Sequence, residues 1–250
     1  MTEADAQEDA QEERARRYYD AFAASYERCR HHGYHALVDQ MQWEALRPLV
    51  AGRDVLEVGC GTGLLLRRAA EVARTARGVD LSPGMLAHAL RRGLDVRVAS
   101  ATALPFDDAS FDVVYAFKVL AHVPDVGVAL AQMARVCRDG GAVLFDVYNP
   151  WSLRWLARRV AGPRPISHQH TEQDVPTRWD PPTRIARWLA PGLRIRRVEG
   201  IRVLTPAAAL HRFALVAPWL ARAERRAARG PLRWFGGFLL VHCERTARGS

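Results

Sequence analysis

The stretch of sequence that decides the fold is Val55-Leu56-Glu57-Val58-Gly59-Cys60-Gly61-Thr62-Gly63. It has the pattern of a short buried strand with an acid near its end, followed by three glycines at alternate positions. Because glycine has no Cβ, the backbone of such a loop can turn sharply and come close to a ligand. The acid would repel a phosphate but suits a cationic amino-acid group, so this loop differs from the G-x-G-x-x-G of dinucleotide sites. We therefore expect a small ligand to lie across this turn.

Strands and helices alternate after this loop. The predicted strands are 54–58, 77–81, 95–99, 111–117 and 142–147, and the predicted helices between them are 64–73, 83–92 and 126–137. This alternation predicts an α/β fold with parallel strands, right-handed crossovers, helices on both faces and a ligand at the carboxyl ends of the strands. Beyond residue 150 the pattern loosens into helices near 184–189 and 206–229 and strands at 193–203 and 234–243.

The residues before the glycine loop form a region of their own. The first 13 residues are polar and acidic, which predicts a frayed or disordered start. From 14 to 52, apolar and aromatic residues recur at helical spacing, with Tyr18, Phe22 and Tyr26 in one row. We therefore divide the chain into this start, an N-terminal helical lid at 14–52, a ligand-binding core at 53–150 and a substrate-facing part at 151–250. Tyr18 and Tyr26 are candidate substrate contacts.

The positive charge of the chain belongs to its second part. The net charge is +9, but residues 151–250 hold 19 arginines against 6 acidic residues, whereas the first 150 residues hold 17 basic and 21 acidic residues. A strongly basic balance often indicates nucleic acid or a membrane surface. Lys118 is the single lysine, however, and a preference for arginine over lysine is not evidence of nucleic-acid binding.

Cysteine and histidine usage predicts neither a metal site nor a disulfide framework. Cys29, Cys60, Cys137 and Cys243 lie far apart and form no C-x-x-C pair. His168 and His170 have a spacing that suits a metal, but no third ligand is nearby. The start lacks an apolar signal region, and no apolar run reaches the roughly 18 residues of a spanning helix. We expect a cytoplasmic protein without a metal.

A second motif follows the second predicted strand, in Gly78-Val79-Asp80-Leu81-Ser82-Pro83-Gly84-Met85. A carboxylate at a strand end, about 20 residues beyond the glycine loop, is placed to accept two hydrogen bonds from a ribose diol. Asp80 is the candidate for this role. The alternative is that Asp80 caps the helix that begins at Pro83.

Three motifs together resemble the class I S-adenosylmethionine-dependent methyltransferases, and within them the small-molecule and quinone-biosynthesis branch. They are E-x-G-x-G-x-G at 57–63, V-D-x-S-x-x-M at 79–85 and the run from Ala99 to Asp112. The resemblance covers residues 55–150. It implies a Rossmann-like, doubly wound, mostly parallel seven-stranded sheet with a helical cap built from inserts, and S-adenosyl-L-methionine as the cofactor. The candidate cofactor-binding residues are Glu57, Gly59, Cys60, Gly61, Gly63, Asp80, Leu81, Met85, Ser100, Ala101 and, by its position after the fourth predicted strand, Phe117.

The third motif departs from the family at one position. Where many members carry an aspartate that accepts a hydrogen bond from the adenine amino group, this chain has Ser100. A hydroxyl can accept the same bond without a charge, so we expect the adenine contact to survive with about 1 kcal/mol less energy. The resemblance also implies that Leu81 and Met85 flank the adenine.

The candidate catalytic residue is His122, just past the fourth predicted strand. A sulfonium activates its own methyl group, so the reaction mainly requires an aligned acceptor and the exclusion of water, and a weak nucleophile alone needs a base. His122 is either that base, in contact with the substrate, or a residue that holds the loop through the backbone. Lys118 pairs either with an acidic substrate group or with a carboxylate of the protein, and we prefer this salt bridge.

Two inserts, at 151–182 and 204–231, each contain a basic amphipathic helix. Trp151 and Trp155 stand beside arginines in the first and are candidate substrate contacts. These helices either form a lid whose apolar face packs over the core, which we favour, or lie on an anionic membrane with Trp at the interface. RNA binding is the weakest of the three interpretations.

The expected function is therefore transfer of a methyl group, of EC 2.1.1 type, to an O, N or C atom of a small apolar or aromatic metabolite. A secondary metabolite and a quinone-like lipid both fit this description. The alternatives are a methyltransferase that acts on RNA or protein through the basic part, and a non-catalytic cofactor-binding partner subunit. No Asn- or Asp-Pro-Pro-aromatic motif follows the fourth predicted strand, which argues against methylation of a nucleobase. The sequence predicts no oligomeric state.

Overall fold

The computed structural model describes residues 3–24, 26–27, 33–161, 177–205 and 217–247. The strands are β1 (Asp54–Val58), β2 (Thr75–Asp80), β3 (Asp95–Val98), β4 (Phe111–Ala116), β5 (Cys137–Tyr148), β6 (Leu193–Ile201) and β7 (Phe238–Arg245). The helices are α1 (Glu3–Phe22), α2 (Gly33–Val50), α3 (Leu64–Ala70), α4 (Pro83–Arg91), α5 (Val126–Val136), α6 (Leu153–Ala161), α7 (Pro182–Trp188) and α8 (Ala217–Ala227). Short 3₁₀ turns lie at Leu120–His122 and Pro231–Phe235.

The strands form a single seven-stranded sheet in the order β3-β2-β1-β4-β5-β7-β6. Neighbouring strands from β3 to β5 are parallel, and β7 runs antiparallel to both β5 and β6. The predicted mostly parallel, seven-stranded sheet is therefore confirmed. The strand order reverses between β1 and β4, and in such sheets the crevice at the carboxyl ends of the strands, at this point of reversal, is where a ligand binds.

Alternate residues of the central strands face two separate cores. Leu56 and Val114 point into one apolar cluster, which α5 covers through Leu130 and Met133. Their neighbours Val55 and Val113 point into the other, which α2 and α3 cover. Burial of both faces explains why these strands are near-continuous apolar runs and not alternating ones.

Several boundaries differ from the prediction. The helix predicted at 64–73 ends at Ala70, and the last strand is Phe238–Arg245 where 234–243 was predicted. The fifth strand begins at Cys137 instead of 142, because Cys137 pairs with Phe111 before a register shift brings Ala142 opposite Val113. Of the helix predicted at 206–229, the described part is α8.

The acidic start, for which the sequence predicts a frayed or disordered segment at 1–13, is helical in the structure from Glu3 onward. Alanine, glutamate, glutamine and arginine are all good helix formers, which outweighs the low hydrophobicity of the segment. Glu13 adds ion pairs with Arg16 and Arg17 one turn later. A contact from Glu12 to Ser100 then ties this helix to the core. Among the described helices, none is long and apolar enough to cross a membrane.

Candidate active site at the carboxyl ends of the strands

The three glycines of the loop have left-handed backbone conformations, with φ of +71° at Gly59, +55° at Gly61 and +79° at Gly63. A Cβ at Gly59 would lie 2.2 Å from a methyl group of Val119, and one at Gly63 would lie 2.4 Å from Leu94. These two glycines are thus required by packing as well as by conformation. A Cβ at Gly61 would meet no atom within 4 Å, so this glycine borders open space where a ligand can approach the backbone.

Asp80 lies at the end of β2 and bonds to the glycine loop. One carboxylate oxygen accepts a hydrogen bond from the Gly61 amide at 2.7 Å, and the other accepts from the Ser82 amide at 2.9 Å. The cap of α4 is Ser82, whose hydroxyl accepts from the Met85 amide. The alternative role of Asp80 as the helix cap was therefore wrong. Burial raises the pKa of the Asp80 carboxyl, and the two backbone amides oppose that rise.

Glu57 is buried below the loop, where its carboxylate accepts a hydrogen bond from the Tyr115 hydroxyl at 3.0 Å. Desolvation raises the pKa of Glu57 to about 8, although Tyr115 and the positive charge of Lys118 lower it. A carboxyl that is costly to ionise in a closed site becomes a favourable partner for an arriving cation. This environment fits the cationic amino-acid group that the sequence predicted.

A cavity of about 300 Å³ opens beside Glu57. The predicted residues that line it are Glu57, Gly59, Cys60, Phe117, Lys118 and Tyr26. Asp80, Leu81, Met85, Ser100 and Ala101 do not line it and lie on the β2 and β3 side of the loop. Sequence reasoning missed the contribution of α2, which adds Asp39, Gln40 and Gln42 to the wall.

Lys118 forms the predicted salt bridge with the protein. Its ammonium lies 2.7 Å from a carboxylate oxygen of Asp39 in α2. The backbone of Lys118 is left-handed, with φ of +64°, and its amide donates to the buried carboxylate of Asp146 at 2.7 Å. Gln42 donates to the other oxygen of Asp146. Burial raises the pKa of Asp146 to about 6. These bonds hold the turn after β4 in one conformation.

Ser100 donates its hydroxyl hydrogen to a carboxylate oxygen of Glu12 at 2.6 Å. Thr102 contacts the same oxygen, so α1 brings a negative charge to the position where the family carries an aspartate. The sequence predicted a serine that acts alone, and it missed Glu12 because that residue falls in the segment predicted to be frayed. Met85 is buried in α4, whereas Leu81 and Ala101 are half-buried beside it.

His122 lies in a row of aromatic rings. Its ring centroid is 5.8 Å from that of Tyr19 and 6.2 Å from that of Tyr148, with edge-to-face geometry in both pairs. Tyr148 in turn contacts Trp179 at 5.4 Å and Phe238 at 4.8 Å. The row joins α1, the 3₁₀ turn after β4, the end of β5 and the start of β7. Among these rings, the sequence had singled out His122 alone.

The other candidate substrate residues are placed less centrally. Tyr18 is buried against Tyr19 and Phe22, so Tyr19 and not Tyr18 meets His122. Trp151 is 50% exposed, and Trp155 is half-buried with the Arg159 guanidinium stacked on its ring. Neither tryptophan lines the cavity. His168 and His170 lie outside the described residues, among which no group of three or more metal-binding side chains occurs.

Comparison with known proteins identifies the core. Residues 56–145 match the family model of the methyltransferase domain. The chain carries a class I S-adenosylmethionine-dependent methyltransferase domain. The matched range begins inside β1 and ends inside β5, so it contains the glycine loop, Asp80, Ser100 and His122. The cofactor of this domain class is S-adenosylmethionine.

Named relatives agree with this domain. A probable S-adenosylmethionine-dependent methyltransferase of Mycolicibacterium smegmatis is 38% identical over 112 residues, which make up 44% of this chain and 44% of that protein. A ubiquinone biosynthesis O-methyltransferase of Pseudomonas entomophila is 34% identical over 117 residues, which make up 44% of this chain and 50% of that protein. The chain therefore spans about half the length of the curated relatives that it matches.

Solved structures share the fold well beyond the matched core. A methyltransferase of Thermotoga maritima, described as a possible histamine N-methyltransferase, has a TM-score of 0.67 at 18% identity and covers 91% of this chain and 98% of its own. The geranyl diphosphate C-methyltransferase of Streptomyces coelicolor, in complex with S-adenosyl-L-homocysteine, has a TM-score of 0.55 at 20% identity and covers 83% and 79%. At these identities the likeness shows the fold alone.

The residues around the loop fit S-adenosylmethionine. Gly61 leaves open space at the turn, and the Asp80 carboxylate stands beside it at the strand end. The buried carboxyl of Glu57 borders the cavity on the other side of the loop. A concave backbone and two acidic groups would suit a positively charged ligand that contains a ribose.

Proposed function

We propose that this chain transfers a methyl group from S-adenosylmethionine to an O, N or C atom of a small apolar or aromatic metabolite, such as a secondary metabolite or a quinone-like lipid. The observation that carries the proposal is the row of rings around His122, beside the glycine loop. Aromatic rings around one imidazole suit a small aromatic acceptor, since ring faces and edges provide contact area without charge.

In this proposal the acidic groups of the first half hold the cofactor. Asp80 accepts from the ribose hydroxyls, Glu57 contributes negative charge for the methionyl ammonium, and Glu12 with Ser100 accepts from the adenine amino group. S-adenosylmethionine supplies a methyl group on a positively charged sulfur, which needs no further activation. The remaining work of the protein is to align the acceptor and to exclude water.

His122 is the proposed base for a hydroxyl acceptor. Its ring stands between Tyr19 and Tyr148, which fix its orientation from two sides. A phenol or alcohol is a weak nucleophile until its proton leaves, and imidazole accepts a proton near neutral pH. For a neutral amine or an activated carbon the same ring would act as a wall.

Helix α1 is the proposed lid of the site. It contacts the core at Ser100 through Glu12, at the start of α4 through Asp20 and at His122 through Tyr19. One helix therefore spans the adenine end and the methyl end of the proposed site. Such a helix can shield both substrates from water in a single closure.

The test is a pair of measurements on the full chain. Isothermal titration calorimetry with S-adenosylhomocysteine measures cofactor binding, and a screen of cell extracts with methyl-labelled S-adenosylmethionine measures transfer. We expect saturable binding and label in an organic-extractable small molecule. Absence of binding would refute the cofactor site. Label found in RNA or protein would refute the small-molecule acceptor and favour the basic second part as a macromolecule-binding surface.

A further inference from the structure

Arg154, in the first turn of α6, lies in the wall of aromatic rings that continues from His122. Its guanidinium carbon is 4.7 Å from the ring centroid of Tyr148, 4.8 Å from that of Phe238 and 5.2 Å from that of Trp179. Cation-π contacts of this kind stabilise a guanidinium that has lost part of its water. They leave its N–H groups, which lie in the plane of the guanidinium, in need of acceptors.

The Nη1 amino group has no acceptor within the described part of the chain. The Nη1 atom of Arg154 is buried from solvent and forms no hydrogen bond there. A buried donor on a charged group that lacks a partner is costly, so such groups are few in folded proteins and each calls for an explanation. Burial, positive charge and a missing acceptor together mark a site for an anionic oxygen.

Arg178, another arginine of this region, has acceptors within the protein for its guanidinium. Arg178 donates to the Leu120 carbonyl at 3.0 Å, to the Val123 carbonyl at 3.2 Å and to the Asp180 carboxylate at 2.7 Å. It holds the segment before α7 against the turn that carries His122. Arg154 makes no comparable set of bonds among the described residues, although it is enclosed by the same part of the fold.

The fold also makes room for Arg154 at this place. A Cβ on Gly237, the residue before β7, would lie 3.2 Å from the Cδ atom of Arg202 and 3.3 Å from that of Arg154. A side chain at this position would therefore press on the stems of both arginines. The Arg154 stem is thus confined beside Gly237 and Arg202, and its guanidinium lies among the three rings, which is a preorganised position for binding.

We propose that Arg154 binds an anionic oxygen group, a carboxylate or a phosphate, of an aromatic methyl acceptor. The inference rests on the proposed function and narrows its substrate class. In this proposal the oxyanion of the acceptor accepts the hydrogen bonds of the Arg154 guanidinium. Guanidinium groups bind both oxyanions through two parallel N–H···O bonds, so both belong to the same class.

The experiment measures probe binding to the full chain saturated with S-adenosylhomocysteine. Benzoate and phenyl phosphate are the anionic probes, and benzamide is the neutral probe of similar shape. The variants are Arg154→Met, which keeps the stem and removes the charge, and Arg154→Lys, which keeps the charge and removes the planar fork. Arg159→Met is the matched control, because Arg159 lies on the exposed side of the same helix and stacks on Trp155.

We expect at least one anion to bind the wild-type protein, benzamide to bind at least about tenfold more weakly, and Arg154→Met to lose about tenfold or more in anion affinity. The anion affinity of Arg154→Lys should lie between those of the wild-type protein and Arg154→Met. The anion affinity of Arg159→Met should match that of the wild type. Whichever anion binds more tightly identifies the oxyanion.

Equal binding of benzamide, a change of less than about twofold in Arg154→Met, or no detectable binding of either anion would overturn the proposal. Affinity for S-adenosylhomocysteine is measured in every variant. If the wild-type protein does not bind S-adenosylhomocysteine, the proposed function is refuted. If it binds S-adenosylhomocysteine but neither anion, only the role of Arg154 is refuted. Thermal unfolding of Arg154→Met checks the fold, and the lysine variant gives the answer if the methionine variant is unfolded.

Discussion

Around the glycine loop, side chains form hydrogen bonds to the backbone and to one another, whereas the side chains around His122 contact each other through aromatic rings. Asp80 accepts from two backbone amides and Glu57 from a tyrosine hydroxyl, both within the first 120 residues. The walls near His122 come from Tyr19, Tyr148 and Trp179, which belong to three distant parts of the chain. The first region is polar and comes from the first half of the chain. The second is aromatic and is built from residues that lie far apart in the sequence.

In the proposed function, this difference follows from what each region binds. A cofactor common to a whole family has fixed hydrogen-bonding groups, so a short motif with carboxylates and bare backbone can match it. An acceptor differs from one enzyme to the next and is recognised mainly by shape and apolar area. Variants of the polar region should therefore change cofactor binding, and variants of the aromatic region should change turnover.

The largest expected effect belongs to the aromatic region. With a hydroxyl acceptor, His122→Ala should lower kcat by about 10²-fold or more, because the base that takes the proton is lost. Affinity for S-adenosylhomocysteine should stay near the wild-type value. Rate measurements over a pH series, with His88→Ala as the control, check this. A loss of less than about tenfold would return His122 to the role of holding the loop.

The second effect belongs to the polar region. Asp80→Ala should weaken S-adenosylhomocysteine binding by about 1.5 to 3 kcal/mol, since two charge-assisted hydrogen bonds lose their acceptor. Calorimetry measures the change. Asp95→Ala is the matched control, because Asp95 stands at the start of β3 and pairs with Arg77 on the surface. An unchanged affinity in a folded Asp80→Ala protein would remove Asp80 from the cofactor site.

A third prediction concerns stability against pH. The pKa of Glu57 is raised to about 8 by burial, so the folded state binds this proton more tightly than the unfolded state does. The contribution of Glu57 to stability is therefore fully present below the ordinary pKa of 4.5 and is lost progressively as the pH rises from there to about 8. Glu57→Gln should match the wild type near pH 5 and exceed it in free energy of unfolding near pH 8. Urea unfolding at both pH values measures the difference in free energy of unfolding between Glu57→Gln and the wild type. Equal stability at pH 8 would contradict the raised pKa of Glu57.

The smallest expected effect concerns the basic surface, where we favour a lid over membrane docking. Helix α8 is tied to α2 by an ion pair between Arg225 and Glu44 at 2.9 Å, yet Trp219 on the same helix is 73% exposed. We expect the wild-type protein to ignore anionic and neutral vesicles alike in a flotation assay. The opposite result would be binding of the wild-type protein to anionic vesicles and loss of that binding in the double variant Arg222→Glu, Arg226→Glu, because each arginine contributes roughly 1 kcal/mol at such a surface. It would overturn the interpretation of the basic inserts as a lid.

Residues of the core could be predicted because their roles are local. Gly59 and Gly63 adopt left-handed backbone that the alternate glycines indicate, and Asp80 lies at a strand end that a β-branched run indicates. The alternation of strands and helices was enough to predict a mostly parallel sheet. At the start of the chain, low hydrophobicity predicts fraying, whereas helix propensity and the Glu12 contact favour α1.

The sequence by itself determined the glycine loop, the parallel sheet and the acid at the end of β2, because each is encoded by neighbours a few residues apart. The tertiary structure alone decided that Glu12 meets Ser100, that Asp39 pairs with Lys118, and that Tyr19 and not Tyr18 meets His122. It also decided that Arg154 lies among three rings, with a buried Nη1 amino group that lacks an acceptor among the described residues. Contacts between residues far apart in the chain leave no local pattern, because they depend on how the helices and strand ends pack around one crevice.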